Sequence, residues 1–183
     1  MKSAFMVWND LFTTSELDAY EAYGDRMVQH KASLAVKGDN DDEIRITQVA
    51  WLEPRPETAA LYERLVQVVN KLNSEFYHFD ITGLENVQYS VYHGTEGGHY
   101  HWHIDHGPHN IKPRKISMSI QLSDPSQYEG CDLQFQVSHK VGMAPRTRGA
   151  VIAFPSFLLH RVTPIISGTR KALVVWATGP DFR

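Results

Sequence analysis

His99-Tyr100-His101-Trp102-His103-Ile104-Asp105 is the stretch on which the reading of this chain turns. In an extended strand, successive side chains point to opposite faces. That places His99, His101, His103 and Asp105 on one face and Tyr100, Trp102 and Ile104 on the other. An imidazole and a carboxylate two residues apart on one face can reach a single metal ion. A further histidine, His160, stands far downstream in Phe157-Leu158-Leu159-His160-Arg161.

Around this stretch the pattern is β. Val87-Gln88-Tyr89-Ser90-Val91-Tyr92 alternates before it, and residues 94–98 read as a turn. After a loop at residues 107–112, Ile116, Met118, Ile120 and Leu122 alternate against Ser117, Ser119 and Gln121. Asp124-Pro125 and Glu129-Gly130 are turn signals. Residues 133–137, 150–154 and 171–176 supply three more strands, the middle one apolar throughout. The N-terminal part differs. A short strand at residues 4–8 precedes a helix that starts at Thr14-Ser15-Glu16, with a hydroxyl cap and an early acid, and runs to about Gln29. Residues 38–43 are polar and acidic and read as a loop; residues 44–52 have strand character. Pro54 and Pro56 end that strand, and Leu61, Leu65, Val68, Val69 and Leu72 mark the core face of a second helix. Two helices followed by seven or eight short strands give an α+β class, with helices supporting a sandwich or barrel.

Composition narrows the function. The 183 residues fit one domain, and 42% hydrophobic content is enough for a core. A net charge of −3 gives no sign of a nucleic-acid binder. A single cysteine, Cys131, rules out an intrachain disulfide and a cysteine-based zinc site, and fits a reducing cytosol. The first ten residues reach Asp10 before an apolar leader is complete, so no signal peptide is read. No apolar run approaches the ~20 residues of a membrane span. A cytoplasmic protein is therefore expected. Ten histidines are present, six of them between His93 and His109, and that density calls for a chemical explanation.

Two histidines and one carboxylate leave coordination positions open on a metal, the arrangement expected of a non-haem Fe(II) oxygenase. His103-x-Asp105 alone is a common tripeptide. Its combination with His160 and with Arg170, ten residues later, is more specific. A bidentate 2-oxo acid can fill two open positions and O2 the third. A dicarboxylic cosubstrate then needs a cation for its far end, and arginine's fork suits that role. Other readings are weaker. A cupin-type His101-x-His103 site needs a glutamate shortly downstream, and none lies near Gly107-Pro108. A zinc hydrolase leaves Arg170 unexplained, and no Gly-x-Ser-x-Gly elbow supports a role for Ser156 with His160. His101, about 6.5 Å from His103 along a strand, is a candidate substrate contact. His106 and His109 fall in the loop and are expected to be exposed.

These residues, with Gly98-His99-Tyr100, Leu122-Ser123-Asp124, Tyr128-Glu129-Gly130, Phe154-Pro155-Ser156, His160-Arg161-Val162-Thr163-Pro164 and Gly168-Thr169-Arg170, give the chain its resemblance. It resembles the 2-oxoglutarate- and Fe(II)-dependent oxygenases, in the branch of prolyl 4-hydroxylase-like and PKHD-type hydroxylases. The resemblance covers most of residues 84–177. It implies a double-stranded β-helix, or jelly roll, at about 84–178, with helical support at about 10–75. It implies His103, Asp105 and His160 as Fe(II) ligands and Arg170 as the partner of the 2-oxoglutarate C5 carboxylate. Tyr92 matches a tyrosine lining the cosubstrate pocket. Gln121 stands where some relatives carry a cosubstrate-binding tyrosine, a departure that leaves this hydrogen bond open. Trp176 matches an aromatic beside the site and is a candidate substrate contact. Val162 should face the pocket, and Cys131 replaces a glycine common in relatives. The implied reaction is hydroxylation of a C–H bond in a prolyl or related residue of a peptide or protein. O2 is consumed, succinate and CO2 are released, and ascorbate is a candidate accessory reductant. A free amino acid or small metabolite is the alternative substrate, and a non-catalytic metal-binding sensor the alternative role. No nucleic-acid or membrane partner is expected, and the oligomeric state is not readable.

Overall fold

The computed structural model describes residues 4–32, 42–107 and 112–181. The expected loops at 38–43 and 107–112 lie mostly outside them, as does His109. Among the described residues there are fourteen strands and two α-helices. In chain order these are β1 (Met6–Trp8), α1 (Thr14–Asp25), β2 (His30–Lys31), β3 (Arg45–Ile46), β4 (Gln48–Leu52), α2 (Ala59–Leu72), β5 (Gly83–Leu84), β6 (Val87–His93), β7 (His99–His103) and β8 (Arg114–Gln121). Then follow β9 (Tyr128–Gly130), β10 (Leu133–Val137), β11 (Lys140–Met143), β12 (Val151–Pro155), β13 (His160–Val162) and β14 (Ile165–Thr178). The count exceeds the seven or eight expected because β2, β3, β5, β9 and β13 span only two or three residues. So short a segment has no visible period and is recognised only by its partner.

The larger sheet runs β1-β12-β8-β14-β6-β4-β2, and the smaller runs β11-β10-β13-β7-β3. All the pairings are antiparallel, as in β8 with β12 and β7 with β13. The chain crosses from the smaller sheet to the larger between Ile46 and Gln48, at the buried Thr47.

The larger sheet has two unlike faces. Val87, Tyr89 and Val91 of β6, Ile116, Met118 and Ile120 of β8, and Leu173, Val175 and Ala177 of β14 pack with the buried face of α2. That face is Leu61, Leu65, Val68, Val69 and Leu72, at the spacing the sequence indicated. Removing each such side chain from water stabilises by on the order of 2 kcal/mol. The Tyr62 hydroxyl secures the helix, donating to Leu52 O at 2.6 Å and accepting from Val87 N at 3.0 Å. Helix α1 starts at Thr14, as expected. Thr13 is its cap, and Glu16 returns a bond to Thr13 N at 2.7 Å to complete a capping box. It ends at Asp25, short of Gln29.

The intervening residues, Gln88, Ser90, Tyr92, Ser117, Ser119, Gln121 and Arg170, are polar yet buried. In β8 the alternation therefore separates a helix-facing side from a cavity-facing side, and neither meets solvent. A second apolar cluster, including Phe135, Phe154, Val162 and Ile165, fills the space between the sheets.

Strand β14 changes partners along its length. Ile165 to Gly168 pair with β9, and from Thr169 onward the strand lies between β6 and β8. Gly168 sits at the change, with φ +78°, and a Cβ there would stand 2.0 Å from Gln127 O. Neither the backbone angle nor the space suits a side chain. Gly168→Ala is expected to lower unfolding free energy by more than about 2 kcal/mol, read by urea denaturation. A loss below about 0.5 kcal/mol would show that this corner relaxes freely.

Candidate metal centre

His103 ends β7 and His160 begins β13, and the antiparallel register sets them directly opposite. Asp105 lies two residues beyond the end of β7. A shared strand face therefore does not bring it to His103. Hydrogen bonds do: Asp105 N and His106 N both donate to Ser156 O, at 2.9 and 3.0 Å. The carboxylate Oδ2 accepts from Ser117 Oγ at 2.6 Å, and Ser117 Oγ is 2.9 Å from Ser156 Oγ. The Nε2 atoms of His103 and His160 each stand 3.6 Å from an Asp105 oxygen. One ligand atom from each of the three residues lies within 4.8 Å of the others.

The backbone fixes the tautomers. His103 Nδ1 is 2.8 Å from His101 O, and His160 Nδ1 is 2.9 Å from Leu158 O. Each Nδ1 must carry the proton to donate to a carbonyl, so both Nε2 lone pairs face Asp105. Burial pushes the His103 pKa down to about 3, and the His160 ring beside it acts in the same direction. Burial alone raises Asp105, but His160, His103, Ser117 and Trp176 outweigh it and hold the carboxyl below its usual range. A neutral His103, the Asp105 carboxylate and the Nε2 of His160 turned toward it make a donor set that fits a divalent transition metal.

The expected alternation of β7 does not hold. Opposite β13, His103 pairs with His160 but Tyr100 pairs with Val162, so the register shifts between them. This bulge turns Tyr100 inward. Its ring stacks on that of His103 with centroids 3.5 Å apart and planes 12° apart. His101 is exposed, lies outside the cavity wall and accepts from Trp102 N at 2.9 Å. Its carbonyl, not its ring, serves the centre. His99 is bound near Gly97 O and Glu43 O, at 2.9 and 3.2 Å. His106, expected to be exposed, is half-buried with Nδ1 3.3 Å from Arg114 O.

The three candidate ligands open into a cavity of ≈ 390 Å³ between the sheets. Arg170 lies in its wall, 2% exposed. Among the described residues no carboxylate pairs with it. Its Nε and Nη2 donate to Gln121 Oε1 at 3.2 and 2.9 Å, and its guanidinium lies 5.4 Å from the Tyr92 ring centre. The Cys131 thiol and Tyr128 phenol also border it. Burial pushes the Cys131 thiol up and keeps it protonated. Gln121 therefore sits behind the arginine as an acceptor, outside the cavity wall. Tyr92, Val162 and Trp176 do line the cavity. The Trp176 indole N–H is buried and reaches no acceptor at hydrogen-bonding distance, yet favours the nearby Asp105 carboxylate. Arg114 stacks 3.8 Å over the Trp176 ring and pairs with Glu85 through two bonds of 2.9 and 2.5 Å. Sequence reasoning missed Tyr100, Ser117, Arg45 and Arg114. Only Arg45, a charge between Ile44 and Ile46, carried a visible signal.

The sequence profile of the 2OG-Fe(II) oxygenase superfamily matches residues 87–178, which hold the three candidate ligands and Arg170. The chain belongs to that superfamily. Within it, the chain is similar to PKHD-type hydroxylases. A PKHD-type hydroxylase of Synechococcus sp. (strain CC9902) is 39% identical over 80 residues, 44% of this chain and 36% of that protein. One from Cupriavidus metallidurans is 30% identical over 133 residues, 68% of this chain and 57% of that protein. The chain thus spans less than two thirds of the length of these curated relatives. Among solved structures, a Pseudomonas putida prolyl-4-hydroxylase superposes with TM-score 0.79 at 16% identity, over 97% of this chain and 94% of that one. A prolyl hydroxylase from Trichoplax adhaerens, in complex with a hypoxia inducible factor peptide fragment, superposes with TM-score 0.79 at 19% identity, over 96% and 83%. Both likenesses establish the fold, the double-stranded β-helix that the sequence pointed to. As in any member of this superfamily, Fe(II) and 2-oxoglutarate are the groups the site has to accommodate.

Acid should unfold the metal-free protein through this centre. The unfolded chain protonates His103 near pH 6.5, whereas the folded chain resists until about 3. The unfolded state then binds more protons, so stability falls as pH drops from about 6.5 toward 3, by up to about 1.4 kcal/mol per pH unit. The depressed Asp105 adds a loss of the same sign below about pH 4. Denaturant unfolding with a chelator at pH 7, 5 and 4 should reveal the slope, and His103→Ala should flatten it.

Proposed function

We propose that this chain is a hydroxylase that uses Fe(II) and 2-oxoglutarate, with His103, Asp105 and His160 holding the metal and Arg170 the cosubstrate. The observation that carries this is a pair. A cluster of two histidines and a carboxylate faces one cavity, and a buried guanidinium without a carboxylate partner among the described residues faces the same cavity. A buried charge costs several kcal/mol unless it is compensated, and the far carboxylate of a 2-oxo diacid supplies what Arg170 lacks.

When bound, the metal supplies O2 activation coupled to oxidative decarboxylation, yielding succinate, CO2 and a hydroxylated product. The chain supplies position. His101 O and Leu158 O keep both imidazoles in the ligating tautomer, and Ser117 and Ser156 hold Asp105. Gln121 fixes the Arg170 fork from behind, and Tyr92 walls the pocket beside it. Phe154 and Val162 exclude water from the inner end. Ascorbate serves as an accessory reductant in this reading.

A peptide or protein segment is the favoured substrate, as one domain acting in the cytoplasm. The inner cavity continues into an outer groove of ≈ 860 Å³, and Trp51, Tyr100, Asp105 and Arg114 line both. An open groove leading to a metal site suits an extended chain better than a small metabolite. No helix among the described residues is long and apolar enough to cross a membrane.

Anaerobic addition of Fe(II) and 2-oxoglutarate should give a weak visible charge-transfer band that needs both components. Asp105→Ala and His103→Ala should abolish the band and 2-oxoglutarate turnover. Arg170→Ala should raise the 2-oxoglutarate KM at least tenfold, matching the roughly 1.5–3 kcal/mol of a charge-assisted hydrogen bond. Full turnover in Asp105→Ala would remove the metal assignment, and tight zinc binding with no band would favour a hydrolase or sensor.

A further inference from the structure

One more cation lines the cavity, on the wall opposite Arg170's sheet. Arg45 lies on β3, directly across from Tyr100 of β7, and Tyr100 is across from Val162 of β13. This row runs beside the His103–His160 pair, and all five residues line the cavity. The β7 bulge makes that possible by turning Tyr100 to the same side as His103. The Arg45 guanidinium carbon stands 4.5 Å over the Tyr100 ring, which in turn stacks on His103. A guanidinium held by its face keeps its edge free to donate.

That edge is not satisfied. Arg45 Nε is buried and has no hydrogen-bond partner. Among the described residues no carboxylate pairs with Arg45. Other basic groups that line the cavity, on the larger sheet, are neutralised: Lys31 by Asp42, and Arg114 by Glu85. Among the described residues Asp105 is the single carboxylate lining the cavity, and it belongs to the candidate metal centre. Buried donors are rarely left unpaired in folded proteins. A buried orphan donor on an unpaired cation therefore implies an anionic acceptor brought by a ligand.

We propose that Arg45 is a specificity-determining residue that receives a carboxylate carried by the substrate, beside the group presented to the metal centre. The assignment rests on the hydroxylase reading above. Arg170 is placed for the cosubstrate's far carboxylate, and its other end faces the metal ligands. Arg45 instead stands on Tyr100, which lines both the inner cavity and the outer groove. Its position is the junction that an incoming peptide must pass. An aspartate or glutamate neighbouring the hydroxylated residue has the required chemistry.

The test is calorimetric titration of the Mn(II)-loaded chain, first with 2-oxoglutarate and then with two matched panels of short proline-containing peptides. One panel carries Asp or Glu beside the proline, and the other carries Asn or Gln. Wild type is expected to bind the best acidic peptide about tenfold tighter than its amide twin, as a charge-assisted bond implies. Arg45→Gln should erase that preference, and Arg45→Lys should restore part of it, with melting curves confirming that both variants fold. In Arg45→Gln the 2-oxoglutarate affinity should stay within about twofold of wild type, whereas Arg170→Gln should lose about tenfold. An acidic preference that survives Arg45→Gln overturns the assignment, and so does a wild type without one. A 2-oxoglutarate affinity that falls about tenfold in Arg45→Gln gives the carboxylate to the cosubstrate and also overturns it. Failure of wild type to bind 2-oxoglutarate condemns the hydroxylase reading separately, because the peptide titration is read on the metal-loaded protein.

Discussion

Everything in this fold depends on giving the larger sheet two dissimilar faces, neither of them wet. One face is apolar and takes the helices. The other is polar and walls a cavity. A polar side chain removed from water must find partners, and here each supplies one for another: Gln88 donates to Ser90, Ser117 to Asp105, Arg170 to Gln121. The helix-facing cluster contributes the stability. The cavity face spends some of it on groups that are poorly satisfied until a ligand arrives.

The metal centre shows the same economy on the smaller sheet. Its three candidate ligands come from a strand end, a loop and a strand start, and each is fixed by backbone carbonyls or buried hydroxyls. His103 and His160 are placed by register, and Asp105 by Ser156 O and Ser117 Oγ. No ligand depends on a long, freely rotating support, so little ordering is left for the moment of binding.

What could be read from the chain alone follows from how local each cause is. His103, Asp105, His160 and Arg170 stood out because ligating residue types are few and their spacing is chemically meaningful. The core face of α2 was legible because helical periodicity is a local property. The bulge in β7 was not. It arises from pairing with β13, and no residue between Tyr100 and His103 announces it; strict alternation consequently credited His101 with a position that Tyr100 holds. The serines of β8 were legible as a polar face, but alternation cannot say whether such a face meets solvent or a cavity. Gln121 was a candidate cosubstrate contact whose hydrogen bond the sequence left open; its Oε1 accepts from Arg170, a direction that sequence position does not contain.

Strand β14 carries Arg170 near its middle and Trp176 near its end, and between them its pairing passes without a break from β6 alone to β6 and β8 and then to β8. Six residues of extended chain measure about 20 Å. The strand is thus a ruler that sets how far the Arg170 guanidinium stands from the metal-side indole. Its divisions come in steps of two. Inserting or deleting one residue between these marks would do more than change a length: every side chain beyond it would exchange faces. Leucine and valine would enter the cavity and tryptophan would turn toward the helices. Loops around this site can change length over evolutionary time, but this segment is confined to even-numbered edits, and in practice to none.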